Sequence, residues 1–334
     1  MVKAKVFIFE HYFDGYPKET DLRLVEEELP PIKEGEFLAE AVFLSVDPYM
    51  RAYSVRLPLG IPFIGAQVAR IIESKNVDFP VGRYVLGNFD WRSHTICDGK
   101  ALKGHMFTQD PYILPDFGDL PVSLALGILG MPGNTAYFGV TEVLQPKKGD
   151  TVVISGAAGA VGNIAGQICK IIGCTVIGIA GSEEKGRWLV DELGFDYFIN
   201  YKTQNLEEAL KKVAPQGIDC YFDNVGGDVS FTIMNQMNRF GKIAVCGAIS
   251  GYNEQNPKIL PLQYTMVFNE LKLQGFHVHR WLNRWMDGIL QNLEWIKEGK
   301  LKYHETVTDG FENMFKAFLG QMKGETVGKP VVKA

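Results

Sequence analysis

The 334-residue chain is short of several things, and each shortage excludes a class of protein. No apolar run reaches the roughly 18 residues that a membrane-spanning helix needs. The opening stretch, Met1-Val2-Lys3-Ala4-Lys5-Val6-Phe7, has too little apolar length for a signal peptide. No membrane partner is expected. Positive charge is not in excess: the net charge is −5, so no basic field for nucleic acid or acidic lipid surfaces is expected. Cysteine is sparse, with five residues at Cys97, Cys169, Cys174, Cys220 and Cys246. An odd count, partly inside apolar runs, argues against a disulfide framework and predicts buried, reduced thiols in a cytoplasmic protein. No closely spaced cysteines form a structural zinc set. Repeats and low-complexity stretches are absent. What remains is globular in composition, 46% apolar and 22% charged, and long enough for two domains.

The most informative stretch is Ser155-Gly156-Ala157-Ala158-Gly159-Ala160-Val161-Gly162. It follows the apolar run Thr151-Val152-Val153-Ile154 and opens a helical segment, Asn163 to Ile172. A strand, a glycine turn and a helix N-terminus grip a dinucleotide pyrophosphate, because the turn lets the backbone approach and the helix end offers free N–H donors. The spacing is G-x-x-G-x-x-G, and tight helix–sheet packing alone also produces such turns. Further apolar strands at 174–180, 197–200, 220–223 and 242–246 alternate with helical segments near Lys185–Leu193 and Asn205–Val213. That alternation predicts a doubly wound parallel sheet, an α/β unit.

The second of these strands ends Ala180-Gly181-Ser182, with no acid where an NAD site places one on the ribose 2′-hydroxyl. Glu183 and Glu184 suit a helix N-terminus. Lys185 suits a 2′-phosphate, and equally suits a solvated helix start. The reading favours NADPH.

The first part of the chain reads as β-rich, with strands at 36–44, 67–73 and 82–87 punctuated by prolines and glycines. Near the end, Trp285 to Gly299 and Gly310 to Phe318 have helical spacing. Val331-Val332 is a short strand that can return to the first domain. The nucleotide domain is then an insertion, 126–304.

Five motifs recur in this order in one family: Val46-Asp47-Pro48-Tyr49-Met50-Arg51, Gly130-Met131-Pro132-Gly133-Asn134-Thr135-Ala136-Tyr137, the glycine turn, Asp223-Asn224-Val225-Gly226-Gly227, and Cys246-Gly247-Ala248-Ile249-Ser250. The chain resembles the zinc-free medium-chain dehydrogenases/reductases over essentially its whole length, and most of all their branch acting on 15-oxo-prostaglandins. The resemblance implies a β-rich GroES-like catalytic domain, 1–125 with 305–334, and a Rossmann NADPH-binding domain, 126–304. It implies a homodimer joined through sheet edges; Pro257 to Gln274 is either the interface strand region or an ordinary edge covered by loops.

Zinc-dependent relatives draw ligands from a Cys and a Gly-His-Glu motif, whose places here look like Asp47-Pro48-Tyr49 and Gly65-Ala66-Gln67. Neither offers Cys or His, and His94, His105, His277 and His279 have no zinc spacing beside Cys. No metal is expected. A nicotinamide without a metal delivers hydride to a carbon already activated by conjugation, with charge moving onto the carbonyl oxygen. This matches the implied activity, reduction of the carbon–carbon double bond of α,β-unsaturated ketones and aldehydes such as 15-oxo-prostaglandins and lipid enals. Oxidation of a leukotriene 12-hydroxyl is a second implied reaction. An NADPH quinone reductase is the enzymatic alternative, and an NADPH-binding crystallin-like protein the non-enzymatic one.

Matched residue by residue, the resemblance puts Gly159, Ala160, Val161 and Gly162 on the cofactor phosphates. Lys185 and Tyr201 fall on the 2′-phosphate side and Asn224 near the cofactor. The loop Cys246, Gly247, Ala248, Ile249, Ser250, Gly251 and Tyr252 underlies the nicotinamide half, and Phe276, His277 and Val278 form a later contact segment. Thr326 stands where the family's Gly-x-Asn-x-Gly-Lys ending has Asn, and Phe268 where close relatives have Tyr. Tyr49 and Tyr252 are the candidate catalytic hydroxyls, able to donate to an enolate oxygen or relay a proton. Lining an apolar cleft explains each equally well, and the nicotinamide ribose hydroxyl can donate instead. Arg51 and Arg56 are either solvated or attract a fatty-acid carboxylate. Leu57, Leu59, Ile61, Phe63 and Ile64 either hold a lipid chain or pack the core.

Overall fold

The structure is a computed structural model that describes residues 2–102, 108–255 and 261–334. His105 lies outside the described residues. The chain forms two compact units, one from Met1–Leu126 with Glu305–Ala334 and the other from Gly127–His304.

The first unit is built on antiparallel strands. β1 (Lys3–Phe9) pairs with β2 (Leu22–Glu28). A seven-stranded sheet contains β3 (Phe37–Ser45), β4 (Gln67–Ser74), β5 (Tyr84–Gly87), β6 (His94–Cys97) and β7 (Tyr112–Ile113). Alternation drives it: Phe37, Ala39, Ala69, Ile71 and Val85 point to one buried cluster with Phe89. A second core is aromatic, where Phe63 meets the edge of Trp91 at 4.9 Å and stands 5.4 Å from Phe9.

The second unit carries a six-stranded parallel sheet. Its strands are β8 (Thr151–Ser155), β9 (Thr175–Ala180), β10 (Tyr197–Asn200), β11 (Ile218–Asp223), β12 (Met237–Val245) and β13 (Lys272–Gly275). The spatial order is β10-β9-β8-β11-β12-β13. The order reverses between β8 and β11, and the crevice at that switch is where such sheets bind dinucleotides. Val153, Ile177, Ile199, Tyr221 and Ile243 form its buried centre. β12 starts at Met237, earlier than the expected Lys242, because exposed Arg239 and Phe240 (φ 66°) break the apolar pattern.

The chain then returns to the first unit. β14 (Glu305–Asp309) and β15 (Lys329–Lys333) add to the seven-stranded sheet, with β15 antiparallel to β3 so that Val331 faces Ser45. The helix near 314 runs Met314–Met322, after a 3-10 turn at Phe311–Asn313.

One expectation is corrected. The region Pro257 to Gln274 is not a continuous strand: residues 257–260 lie outside the description, Leu262–Phe268 is a helix, and only Lys272–Gly275 is extended. Leu262 and Met266, four residues apart, pack together on the sheet's buried cluster, which is a helical spacing.

Candidate functional site

β8 ends in the glycine turn, and the helix Gly162–Ile172 begins directly after it. Gly156 has φ +59°, and a Cβ on Gly162 would stand 2.4 Å from the Gly156 carbonyl oxygen. Only glycine permits that approach. Asn163 Nδ2 braces the turn by donating to the Gly159 oxygen at 2.6 Å. Gly159, Ala160 and Val161 stay accessible while Gly162 is buried. The turn is therefore a cradle whose open side presents backbone N–H groups at a helix N-terminus, which fits a pyrophosphate.

The other candidates gather at the carboxyl ends of neighbouring strands. After β9, Ser182 Oγ accepts from Lys185 N and caps a short helix, Glu183–Arg187. That helix continues as a π turn, Trp188–Glu192, rather than a uniform helix. The acid nearest the tip is occupied, since Asn200 Nδ2 donates to Glu183 Oε1 at 2.7 Å. After β10, Tyr201 and Lys202 lean over Gly181, their atoms 3.0–3.3 Å from where a Cβ would stand. Burial, then the neighbouring Lys202 ammonium, hold the Lys185 pKa below the usual lysine value. Two ammonium groups set against each other, with Glu183 tied away and Glu184 offsetting their repulsion only in third place, make a place for an anion. Lys202 was missed by the sequence reading, because nothing local says that β10 ends beside Gly181.

After β11, Asn224 joins the turn: its N–H donates to Ser155 Oγ at 3.0 Å and its Nδ2 to the Ser155 oxygen at 2.8 Å. Beneath it Asp223, 3% exposed, accepts from Val225 N, Gly226 N, Tyr221 Oη and Ser230 Oγ. This carboxylate binds the β8 and β11 ends into one rigid corner. The acid closing the apolar run Cys220-Tyr221-Phe222 is the signal that marks it in the sequence.

The 246–252 loop folds back on the same corner. Ile249 N donates to the Asn224 oxygen at 3.3 Å, and Ser250 Oγ to the Val225 oxygen at 2.6 Å. Tyr252 Oη accepts from Ala248 N at 3.2 Å. Burial, then Asp223, push the Cys246 thiol up to about 12, so it is no nucleophile. Beyond β13, the Phe276 ring packs against Phe222 and Trp281, Val278 is buried, and His277 stacks on His279 with rings 4.6 Å apart.

In the first unit, Tyr49 opens a one-turn helix, Tyr49–Tyr53, just after β3. Burial, then the Asp47 carboxylate, push its hydroxyl well above the ordinary 10, so it stays protonated and can donate. Lys329 Nζ lies 2.7 Å from Asp47 Oδ1. Gln67 Nε2 donates to the Asp90 oxygen at 2.9 Å and the Arg92 oxygen at 3.3 Å. The places where zinc-dependent relatives keep ligands thus hold an ion-paired carboxylate and an amide bound to carbonyls, which do not fit zinc. Among the described residues no group of three His, Cys, Asp or Glu side chains could hold a metal ion. Thr326, partly buried, lies just before β15.

The comparisons agree with this geometry. Residues 5–104 match the family described as the N-terminal domain of oxidoreductase, and residues 160–295 the zinc-binding dehydrogenase family. The chain is 51% identical to prostaglandin reductase 1 of Bos taurus, covering 100% of both. The chain belongs to the zinc-free medium-chain dehydrogenases/reductases. Another member, the NADP(+)-dependent 2-alkenal reductase of Nicotiana tabacum, is 37% identical, with 99% of this chain and 97% of that protein covered. The structure of CurA from Vibrio vulnificus in complex with NADPH superposes with a TM-score of 0.91 at 36% identity, covering 99% of each chain. The β-rich GroES-like unit and the Rossmann unit are the architecture of this medium-chain dehydrogenase/reductase.

Two other expectations are settled by packing. Arg51 is neither solvated nor open to a ligand: it is 7% exposed, donates to the Phe13 and Gly15 carbonyls, and lies over the Phe13 ring. Leu57, Phe63 and Ile64 are core residues, whereas Leu59 is exposed. A cavity of about 660 Å³ in the first unit is lined by Leu57, Ile61, Ile64, Ile96, Arg56 and Arg92.

Burial, then His277, lower the His279 pKa from 6.5 to about 4. A histidine held neutral by the fold contributes stability above its ordinary pKa, and that contribution is lost as pH falls from 6.5 towards 4. For a partly exposed ring the loss is on the order of 2 kcal/mol. Thermal unfolding from pH 7 to pH 4 is expected to fall more steeply for the wild type than for His279→Asn. Parallel curves for the two proteins refute the assignment.

Proposed function

We propose that this protein uses NADPH to reduce the carbon–carbon double bond of α,β-unsaturated ketones and aldehydes, with 15-oxo-prostaglandins and lipid-derived 2-alkenals as substrates. The carrying observation is the strand end at Gly181, where Lys185, Tyr201 and Lys202 gather and Glu183 is drawn off by Asn200. That environment suits a 2′-phosphate and not the ribose diol of NADH.

In this reading Gly159–Gly162 hold the pyrophosphate and Lys185 with Tyr201 the 2′-phosphate. Asn224, the 246–252 loop and Phe276–Val278 line the remaining length within the same unit. The nucleotide unit is 126–304, and the substrate unit is 1–125 with 305–334. NADPH when bound supplies hydride to the β-carbon. Tyr49, protonated throughout neutral pH, donates to the carbonyl oxygen as charge builds on it. Tyr252, which accepts from Ala248 N, is the second hydroxyl assigned to the reaction.

A homodimer and a cytosolic location complete the reading. Among the described residues β13 ends the parallel sheet, the helix Leu262–Phe268 before it exposes Tyr264, Val267 and Phe268, and five free thiols suit a reducing compartment.

The test is NADPH oxidation with 15-oxo-prostaglandin in the presence of EDTA, with the product identified by mass. A saturated ketone, heavier by two hydrogens, is expected. NADPH binding without its consumption sinks the substrate assignment and shifts weight to quinones or a non-catalytic role.

A further inference from the structure

The ending Gly324-Glu325-Thr326-Val327-Gly328-Lys329 closes on a lysine that the proposed chemistry has not used. Lys329 is the first residue of β15 and is 3% exposed. Its ammonium donates to the Val46 carbonyl at 2.7 Å and to Asp47 Oδ1 at 2.7 Å. Ser45 Oγ donates to the other carboxylate oxygen of Asp47. Two consecutive residues, Val46 and Asp47, therefore converge on one buried cation, and Ser45 holds the carboxylate from its other side. The next turn starts from them: the Asp47 carbonyl accepts from Met50 N and the Pro48 carbonyl from Arg51 N. Tyr49 is the first residue of that turn.

We propose that Lys329 is a positioning residue for Tyr49, acting through its buried pair with Asp47. The inference rests on the enone-reductase reading, since it gives Tyr49 work to do. A buried ion pair gains little over a well-packed apolar pair of the same size, because desolvation nearly cancels the attraction. What the pair supplies here is direction: a cation bound to a carbonyl and a carboxylate on adjacent residues fixes the orientation of the chain leading into Tyr49. The pair also acts electrostatically. Asp47 is the largest charge acting to hold the Tyr49 proton, after burial itself. Lys329 faces that carboxylate directly and offsets its field. Without the ammonium, a charged Asp47 would hold the Tyr49 proton more tightly and make it a poorer donor. Glu305, paired in register with Lys329 and bonded to Ser123, is the other acid facing this lysine, and burial raises its pKa.

The experiment is a double-mutant cycle on the full chain: wild type, Lys329→Met, Tyr49→Phe and the double variant. The readouts are kcat and KM for an enone, NADPH affinity by fluorescence, and Tm. Each single substitution is expected to lower kcat about tenfold or more. The double variant is expected to be no slower than Tyr49→Phe, with NADPH affinity unchanged within about twofold. Effects on kcat that multiply would overturn the inference, as would an unchanged kcat in Tyr49→Phe. If Lys329→Met does not fold, Asp47→Asn/Lys329→Met removes both charges together, and the same cycle is read on that pair. Should the wild type ignore enones, the cycle is run with an ortho-quinone as hydride acceptor. Enone inactivity then counts against the functional reading, and multiplying effects against the positioning role.

Discussion

Gly162→Val is expected to weaken NADPH binding at least about a hundredfold in a fluorescence titration, or roughly 3 kcal/mol. The new side chain has no place to stand. Its Cβ would meet the Gly156 oxygen at 2.4 Å and the Ala157 Cα at 2.9 Å, and both atoms are backbone that cannot swing aside. The turn must open, and the N–H groups at 159–161 leave the positions from which they face a pyrophosphate. Gly159→Ala is the control. Its Cβ meets only the Gly156 oxygen at 3.3 Å, so a folded protein with a smaller loss is expected. A folded Gly162→Val that binds NADPH normally would remove the turn from the cofactor site.

Lys185→Gln is expected to raise the NADPH dissociation constant about 30-fold while leaving NADH binding nearly unchanged. Charge-assisted hydrogen bonds contribute roughly 1.5–3 kcal/mol, or about 10- to 150-fold in affinity. Lys202 and Tyr201 remain at Gly181 in the variant, so binding is weakened and not abolished. Removing one of two opposed ammonium groups also relieves their repulsion in the empty protein, which predicts a small gain in Tm without cofactor. Equal losses for NADPH and NADH would show that Lys185 does not read the 2′ position.

Much of this was legible in the chain itself. The run Thr151–Ile154, the turn and the helix appear in the structure within a residue of where the periodicity places them. They do so because a buried strand, a left-handed Gly156 and a helix start are local requirements. The missing acid at Gly181-Ser182 was equally plain. Less was legible where a residue's meaning depends on what packs on it. Arg51 looks like a surface cation until the Phe13 and Gly15 carbonyls close over it. The stretch 262–268 is apolar enough for an interface strand, but Leu262 and Met266 find the sheet's buried cluster and hold it helical. Glu183, an acid beside an anion site, makes sense only with Asn200 bound to it.

The sequence by itself determined the fold class and the strand–turn–helix at the pyrophosphate. Apolar period and glycine stereochemistry act within a dozen residues and need no distant partner. The tertiary structure alone decided that Tyr201 and Lys202 meet Gly181, and that Lys329 holds Asp47 from 282 positions away. Those pairings follow from which strand lies beside which and in what register. A buried charge takes whatever partner the register delivers, and no local pattern in the chain encodes that choice.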